Sequence, residues 1–276
     1  LHLARASKIK TVALVTDQNT LWHQSSWSPF HTLRVPYSNA VKKAKDIADV
    51  INGEYRQRRI FWTTSSAQPK DERESKRQQM LTQSIENENQ FSNGAWVKCD
   101  FTPTRDGSSI DDAPVPFIRD MLNSARSQAK DTDILLIVNS DIGLCPGITG
   151  EILDACNNFG SCYSQRHDFS KIDRLALNEI EIGIGRKYPG ADMFAFEATW
   201  WDKHKDFFPD MLLGREAWDM IMRDLVRSTG GIELNNAIYH EMHDSHWLRY
   251  RKCNGNEHNK RLAVEWLAGN GRQWWK

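Results

Sequence analysis

The spacing of hydrophobic positions along the chain alternates between the periods of strands and of helices. Short apolar or alternating runs predict β-strands at residues 11–16, 59–63, 95–101, 134–138, 161–168, 191–196 and 238–239. Apolar positions that recur every three or four residues predict helices at residues 40–51, 117–129, 146–156, 199–207 and 215–228. Residues 67–88 are charged and rich in glutamine. They fit a solvated helix, which we prefer, or a mobile insertion.

The order of these elements predicts the fold class. Strands that alternate with helices indicate an α/β fold with a mostly parallel central sheet flanked by helices. The run Ile134–Val138 is apolar throughout and follows a helix directly, which is typical of a strand covered on both faces. No linker separates two hydrophobic cores, so we expect one domain over residues 1–276. Within it, residues 1–10 are expected to be disordered or foreign to the native chain, and residues 248–276 to form a C-terminal extension.

Composition narrows the classes of function. Lysine plus arginine and aspartate plus glutamate each number 36, so no overall charge attracts nucleic acid or an acidic membrane. No apolar run reaches the roughly 18–20 residues that a membrane span needs. The five cysteines are odd in number and include no CxxC pair, which favours a reducing, cytoplasmic location and argues against a zinc site built on cysteines.

The segment Asn139-Ser140-Asp141 ends the most apolar strand of the chain. Open α/β sheets bind ligands in the crevice beyond the carboxyl ends of their strands, so Asp141 is expected to project into that crevice. Its carboxylate is a hard oxygen ligand suited to Mg²⁺ or Mn²⁺ carrying a diphosphate. Asn139 points the same way on an extended chain and could contact ribose or base. A simple turn is the alternative, because these three residue types all favour turns.

A histidine-rich segment follows the last predicted strand. His240, His243 and His246 recur every three residues beside Glu241 and Asp244, and a helical turn would roughly align them. Imidazoles with carboxylates can hold a transition metal. The spacing differs from the HExxH zinc pattern, which disfavours a zinc protease. Surface histidines without a ligand are the alternative.

Further charged residues lie at the edges of apolar segments. Glu216 is predicted in the first turn of the helix at 215–228, where the helix dipole favours its ionised form, and Asp219 follows one turn later. An ionised carboxylate there could accept a proton from a sugar hydroxyl, or could simply cap the helix. The remaining candidates are Arg166, which could neutralise a phosphate, Asp192, which could bind hydroxyls, and Asp168 and Asp17, which could contact a donor. Surface ion pairs are the alternative for these residues.

Taken in order, these segments resemble the nucleotide-diphospho-sugar transferase fold called GT-A, and their order also fits bacterial and viral polysaccharide-type sequences. Residues 132–142 resemble the strand that ends in the DxD metal motif, with Asn139 at the first acidic position as a departure. The resemblance implies that Asp141 is the main metal ligand and that Asn139 touches the donor. It also implies a late metal-binding histidine, His243 by order, with His240 and His246 as rivals. Residues 190–194 and 214–216 resemble the acceptor side, which would make Glu216 the catalytic base.

The resemblance implies a glycosyltransferase dependent on Mn²⁺ or Mg²⁺. It would move a sugar from a nucleotide-diphosphate sugar to a hydroxyl of a glycan, of another molecule or of a nucleic acid. Three alternatives stay open: a metal-dependent hydrolase that uses the histidines, a nucleotidyltransferase, and a non-catalytic module that binds sugar or nucleic acid. The nucleotidyltransferase is disfavoured because residues 17–20 lack the glycine-rich and basic loop that such enzymes place after their first strand.

Overall fold

The computed structural model describes residues 58–64, 69, 71–92, 95–105, 110, 115–173, 176–243 and 253–270. Its strands are β1 (Ile60–Thr63), β2 (Trp96–Lys98), β3 (Ile134–Val138), β4 (Ile142–Leu144), β5 (Ser161–Phe169), β6 (Arg186–Glu197), β7 (Ile232–Glu233) and β8 (Ile238–Glu241). Its α-helices are α1 (Glu72–Ser92), α2 (Ile118–Gln128), α3 (Ile148–Phe159), α4 (Glu179–Ile184), α5 (Ala198–His204), α6 (Trp218–Ser228) and α7 (Asn254–Gly269). A 3₁₀ turn, Lys205–Phe207, extends α5. The strand predicted at 11–16, the helix predicted at 40–51, Asp17 and His246 lie outside the described residues.

One sheet joins all the described strands. Its order is β2-β1-β3-β6-β5-β8-β4, with β7 also paired to β5. Four strand pairs are parallel and three are antiparallel, so the sheet is mixed with parallel pairs in the majority. The predicted α/β class with a mostly parallel sheet and flanking helices is confirmed.

Two hydrophobic cores cover the two faces of the sheet. Alternate residues of β3 face opposite sides, because successive side chains of a strand point to opposite faces. Leu135 and Ile137 join the core under α2, α5, α6 and α7, which we call the first core. Ile134, Leu136 and Val138 join the core under α1 and α3, which we call the second core. All five residues of β3 are buried, as a strand covered on both faces requires.

Several elements differ from the sequence prediction. Helix α1 forms as preferred and buries Met80, Leu81 and Ile85 in spite of its charged composition. Strand β6 has 12 residues and begins well before the predicted residue 191. The predicted helix at 215–228 begins only at Trp218, because Ala217 has a φ of 73° and interrupts the helical backbone. Four elements were not predicted: β4, α4, β7 and α7.

Irregular pairing bends the sheet close to the residues of interest. The register of β5 against β6 shifts between Ser164 and Gln165 and again between Gln165 and His167. Such bulges bend a strand and turn its side chains in a new direction. Beyond the bulges, β5 pairs with β8 through Asp168 and His240, and β8 pairs with β4 through His240 and Ile142. His240 therefore sits between two strands that both reach the same edge.

Candidate metal centre

The link Asn139-Ser140-Asp141 connects β3 to β4 along one edge of the sheet. It starts beside β6, where the backbone N–H of Asn139 donates to the carbonyl oxygen of Asp192 at 3.1 Å. It ends at Ile142, which lies opposite His240 of β8. Asp141 therefore lies between the end of β3, in the middle of the sheet, and β8, the strand that contains His240.

Three side chains direct their donor atoms to one point. Oδ2 of Asp141 lies 2.9 Å from Nε2 of His243 and 3.3 Å from Nε2 of His240. One ligand atom from each of the three residues lies within 4.8 Å of the others. Asp141 and His243 are 102 positions apart in the sequence. The fold therefore creates a three-residue group that could hold a metal ion.

The two histidines are brought together by a strand and not by the helical turn that the three-residue spacing suggested. His240 is the third residue of β8, and His243 lies two residues beyond the end of that strand. Pairing of His240 with Asp168 on one side and Ile142 on the other fixes its position. The two imidazole ring centroids are 5.0 Å apart. The short strand predicted from Ile238 thus continues through His240, which has a neighbouring strand on each side.

A second carboxylate lies behind His240. Nδ1 of His240 is 2.9 Å from Oδ1 of Asp168, and the imidazole is almost fully buried. A carboxylate at Nδ1 accepts a hydrogen bond from the N–H of that nitrogen, which leaves Nε2 directed at Asp141. Histidines that ligate metals commonly donate their other nitrogen to a carboxylate in this way, which fixes the ring and raises its basicity. Asp168 thus contacts His240 but is not itself a member of the three-residue group.

Arg166 joins Asp168 to Asp192. Its Nε lies 2.9 Å from Oδ1 of Asp168, and its Nη1 lies 3.1 Å from Oδ1 of Asp192. Its guanidinium stacks over the ring of Tyr188 at 4.1 Å. Asp192 also accepts a hydrogen bond from the side-chain amide of Asn139. Arg166 is therefore engaged with two carboxylates, and a continuous chain of contacts runs from Asp141 through His240 back to Asn139.

The protonation states follow from these contacts. Burial by itself would raise the pKa of Asp141, but hydrogen bonds from His240 and His243 outweigh it and lower the pKa. Burial would lower the pKa of His240, but Asp141 and Asp168 outweigh it and raise the pKa. The group thus favours an ionised carboxylate facing an imidazole with increased proton affinity. A site that holds a proton between these atoms in this way can exchange the proton for a cation.

The donor set fits a divalent transition metal. Four aspartates, Asp141, Asp168, Asp192 and Asp219, are linked by contact or by charge to Arg166, to Arg223, to His240 or to one another. Four carboxylates beside two arginines could accommodate a bound cation. Two imidazoles with one carboxylate suit Mn²⁺, Fe²⁺, Co²⁺ or Zn²⁺, whereas Mg²⁺ prefers oxygen ligands. Three protein ligands also leave coordination positions for a substrate.

Asp192 and Asp219 face each other on the side of the first core. Burial raises the pKa of Asp192, an effect that Arg166 opposes and Asp141 adds to. Burial, followed by the charge of Asp192, raises the pKa of Asp219 to about 6. Asp219 lies in the first turn of α6. Two of the three predicted catalytic carboxylates are therefore electrostatically coupled.

Glu216 is placed differently from the sequence prediction. It lies two residues before α6 and not in its first turn, because the helix begins at Trp218. Its carboxylate forms an ion pair with Lys260 of α7 at 3.2 Å, and its backbone N–H donates to the side chain of Asn256. Helix α7, which the sequence did not predict, thus supplies both contacts.

Two threonines at the end of β1 were not predicted as site residues. Thr63 pairs with Ile137 near the end of β3, so the two strands end at the same edge of the sheet. The hydroxyl oxygens of Thr63 and Thr64 are buried and have no hydrogen-bond partner among the described residues. Buried hydroxyls without partners are uncommon and call for an explanation such as a missing ligand. A short strand that ends in two threonines was the only signal in the sequence.

Ser140 is partly exposed between Asn139 and Asp141.

Within the described residues, no helix is both long enough and apolar enough to cross a membrane. All five cysteines are free and buried.

No protein-family model matches the chain, and no curated protein matches it. Among solved structures, the chain is similar to the crystal structure of S. aureus TarS residues 1–349 in complex with UDP-GlcNAc. The superposition covers 76% of this chain and 71% of the other, with 9% sequence identity and a TM-score of 0.42.

Proposed function

We propose that the chain is a divalent-metal-dependent glycosyltransferase that uses a nucleotide-diphosphate sugar as donor. The observation that carries the proposal is the meeting of Asp141, His240 and His243 at the end of the sheet. These residues come from three places in the chain, the end of β3, strand β8 and the segment after it. The motif resemblance of residues 132–142 and the histidine segment supports the same function.

On this proposal, Asp141, His240 and His243 hold the cation. When bound, it would act as a Lewis acid that stabilises the negative charge developing on a departing diphosphate. The protein's own part is to orient the ligands: Asp168 fixes the ring of His240, and Arg166 fixes Asp168. Asn139 and Ser140, next to Asp141, are proposed to contact the donor, as is Asp17. Arg166 and Asp168 are proposed to act on the donor through His240.

The proposed cation is Mn²⁺ in preference to Mg²⁺. Two of the three ligand atoms are imidazole nitrogens, which Mn²⁺ accepts more readily than Mg²⁺ does. The acceptor is proposed to be a hydroxyl of a glycan or of another molecule, nucleic acid included. Its oxygen attacks the anomeric carbon of the donor, and the bond from that carbon to the diphosphate breaks.

The first experiment measures the thermal unfolding of the purified protein with UDP, GDP and ADP, each with and without Mn²⁺. A ligand that binds the folded state must raise the unfolding temperature. We expect a shift for one diphosphate that requires Mn²⁺ and that Asp141→Asn abolishes. The exposed Asp206→Asn serves as a matched control and should keep the shift. No shift with any diphosphate would contradict the proposal.

The second experiment separates transfer from the alternatives. The protein is incubated with Mn²⁺, the sugar donors of the diphosphates that bind and a panel of methyl glycosides, and the products are separated by mass. Transfer yields a glycosylated acceptor. Cleavage of compounds that carry no nucleotide-diphosphate sugar would favour the metal-dependent hydrolase. Tight binding without any turnover would favour the non-catalytic binding module.

A further inference from the structure

The carboxylate that accepts the proton of the attacking hydroxyl can be chosen from the geometry on the first-core side of the sheet. This inference rests on the proposed function and deepens it. Three carboxylates were candidates from the sequence: Asp192, Glu216 and Asp219. A proton acceptor needs a carboxylate oxygen that is not already committed to a strong donor.

Two of the three are committed. Asp192 is buried, with only 7% of its side chain exposed, and both of its carboxylate oxygens lie within 3.3 Å of Nη1 of Arg166. It also accepts the amide of Asn139. Glu216 is paired with Lys260 and lies before the helix. Asp219 is partly exposed, and its carboxylate accepts hydrogen bonds from the backbone N–H groups of Met220 and of its own residue. Among the described residues, no ion pair joins it to a cation, so it is not neutralised as Asp192 and Glu216 are.

Gly190 leaves the space that the carboxylate of Asp219 occupies. A Cβ atom added at Gly190 would lie 2.7 Å from Oδ2 of Asp219 and 2.6 Å from Cε1 of Tyr188. Both distances are too short for a real side chain, so any larger residue would displace the carboxylate or the ring. Asp219 therefore stands beside the Tyr188–Gly190 segment only because residue 190 has no side chain.

Two side chains hold this segment in place. The carbonyl oxygen of Pro189 accepts a hydrogen bond from Nε2 of Gln165 at 2.6 Å and another from Nη1 of Arg223. Arg223 lies one turn after Asp219 on α6, so the helix that carries the carboxylate also anchors the segment against it. On the other side, the ring of Tyr188 stacks on Arg166, which contacts Asp192 and Asp168. The chain of contacts from the metal-binding group thus extends to the surroundings of Asp219.

We propose that Asp219 accepts the proton of the attacking hydroxyl, and that Gly190, Gln165 and Arg223 are positioning residues that set its carboxylate. The acceptor O–H proton passes to a carboxylate oxygen of Asp219 as the acceptor oxygen bonds to the anomeric carbon. The bond from that carbon to the diphosphate breaks, and its electron pair leaves with the nucleoside diphosphate. The pKa of about 6 that burial and Asp192 give to Asp219 suits a base that works near neutral pH.

The groups that face Asp219 decide the expected pH profile. They are Asp192 and Tyr188 of β6, Arg223 on its own helix, and the backbone N–H groups of Asp219 and Met220. Because Asp219 must be ionised to accept a proton, transfer should fall as the pH drops through about 6. This acidic limb should be absent from the residual activity of Asp219→Asn, which has no ionisable group at this position.

The experiment measures nucleoside diphosphate release from UDP-, GDP- and ADP-sugars with methyl glycosides as acceptors and Mn²⁺ present. We expect Asp219→Asn to lower turnover by at least about 100-fold, the usual contribution of a general base, while it keeps the Mn²⁺-dependent shift in unfolding temperature. Glu216→Gln should lower turnover far less than Asp219→Asn does, since its carboxylate is paired with Lys260. Asp206→Asn is the matched control.

The positioning residues have a separate test. Gly190→Ala and Arg223→Met should each lower kcat by about 10-fold or more with little change in the KM for donor, because a small misplacement of a reacting group has a large effect on rate. If Gly190→Ala does not fold, Arg223→Met still answers the question. An equal loss in kcat and in donor binding would favour a purely structural role and overturn the positioning assignment.

The possible failures can be told apart. If the unchanged protein neither binds nor turns over any donor, the proposed function fails and this assignment fails with it. If the unchanged protein transfers sugar and Asp219→Asn does so at a similar rate, only the assignment of the base is wrong. If Glu216→Gln loses activity and Asp219→Asn does not, the base is Glu216.

Discussion

Both ends of strand β3 are flanked by an aspartate, and the protein surrounds the two side chains in different ways. Asp133 lies before the strand, and its carboxylate is 3% exposed. It accepts hydrogen bonds from the backbone N–H groups of Arg59 and Lys130 and from the guanidinium of Arg59. Asp141 lies beyond the other end, is 26% exposed and meets two imidazoles.

The difference lies in the kind of partner and not in the amount of burial alone. The pKa of both aspartates is lowered in spite of burial, which by itself would raise it. Backbone donors cannot leave Asp133 without unfolding of the chain nearby, so that carboxylate is part of the framework. Asp141 instead faces the ring nitrogens of two histidines, which are groups that could bind a cation together with the carboxylate. One end of the strand is therefore closed, and the other, which we call the open end, carries a group that could hold a cation.

The largest effect that we expect is on metal binding at the open end. Asp141→Asn replaces the only carboxylate of the three-residue group, so Mn²⁺ affinity should fall by at least about 100-fold, more than the usual loss of an outer partner. Asp133→Asn should leave Mn²⁺ affinity within about 2-fold, because it lies at the opposite end of β3. Isothermal titration with Mn²⁺ measures both. Equal losses of Mn²⁺ affinity in the two variants would contradict the difference between the two ends of β3.

Stability should respond in the opposite order. Asp133→Asn replaces a charged acceptor with a neutral amide, while the three donors around it stay in place. We expect the free energy of unfolding to fall by about 2–3 kcal/mol. Asp141→Asn keeps an oxygen that can accept from a histidine and should cost at most about 1 kcal/mol. Urea unfolding at neutral pH with a chelator present measures both values. A larger cost at residue 141 would make that aspartate a framework residue too.

The carboxylate behind His240 offers a sharper test of the open end. Asp168→Asn can still contact the imidazole but cannot hold its Nδ1 proton as an anion would. Loss of such an outer partner typically weakens metal affinity by about 10- to 100-fold. We expect a fall in Mn²⁺ affinity in that range with circular dichroism unchanged. Asp173→Asn, an exposed aspartate, is the control and should bind Mn²⁺ as the unchanged protein does.

The position of Asp141 at the open end was partly predictable from the sequence, because the apolar pattern shows where the strand before it ends. The apolar run Ile134–Val138 fixes where β3 ends, and the residues after a strand lie at the rim of the sheet whatever surrounds them. Asp141 could therefore be placed at the rim without coordinates, whereas its grouping with the later histidines was implied by the family resemblance. The role of Asp168 could not, because it depends on the bulges of β5 that bring that residue opposite His240.

The helix-borne residues were harder to place, for a different physical reason. A periodic apolar pattern predicts a helix but does not fix its first residue, which depends on the backbone of the preceding turn. Here Gly214 and Ala217 both have positive φ, so the helix begins at Trp218 and the position of Glu216 shifts relative to the sheet. Helix α7, which pairs with Glu216, is charged and includes two glycines, so its pattern gave no signal.

The pH dependence of stability gives another contrast with the closed end. Because the pKa of Asp219 is raised from 3.8 to about 6, the folded state holds the proton of this carboxylate more tightly than the unfolded state does. The free energy of unfolding should therefore fall as the pH rises from about 4 to about 6. Two units correspond to at most about 3 kcal/mol, and partial exposure reduces the expected value to about 1–2 kcal/mol.

Asp219→Asn should remove this fall, so the variant gains stability relative to the unchanged protein as the pH rises. Urea unfolding at several pH values in the presence of a chelator measures the difference. Asp133, whose pKa is lowered, predicts the reverse: its contribution is present above its unfolded pKa and is lost as the pH falls through its folded pKa. A parallel pH dependence for Asp133→Asn and Asp219→Asn would contradict the opposite pKa shifts of these two carboxylates.

The smallest effect on stability is expected at Thr63, which shares the open edge. Its hydroxyl is buried without a partner among the described residues, so Thr63→Val removes no hydrogen bond to that part of the chain and keeps the shape of the side chain. We expect a change of less than about 1 kcal/mol in the free energy of unfolding, with a gain possible because an unsatisfied polar group is removed. If the hydroxyl faces a nucleotide, the same variant should weaken diphosphate binding by about 3- to 10-fold, the value of one neutral hydrogen bond.

Thr149→Val is the matched control, since its hydroxyl is bonded to Glu88 and Trp96, and it should lose stability without change in diphosphate binding. A stable Thr63→Val protein with unchanged diphosphate affinity would remove this threonine from the binding edge.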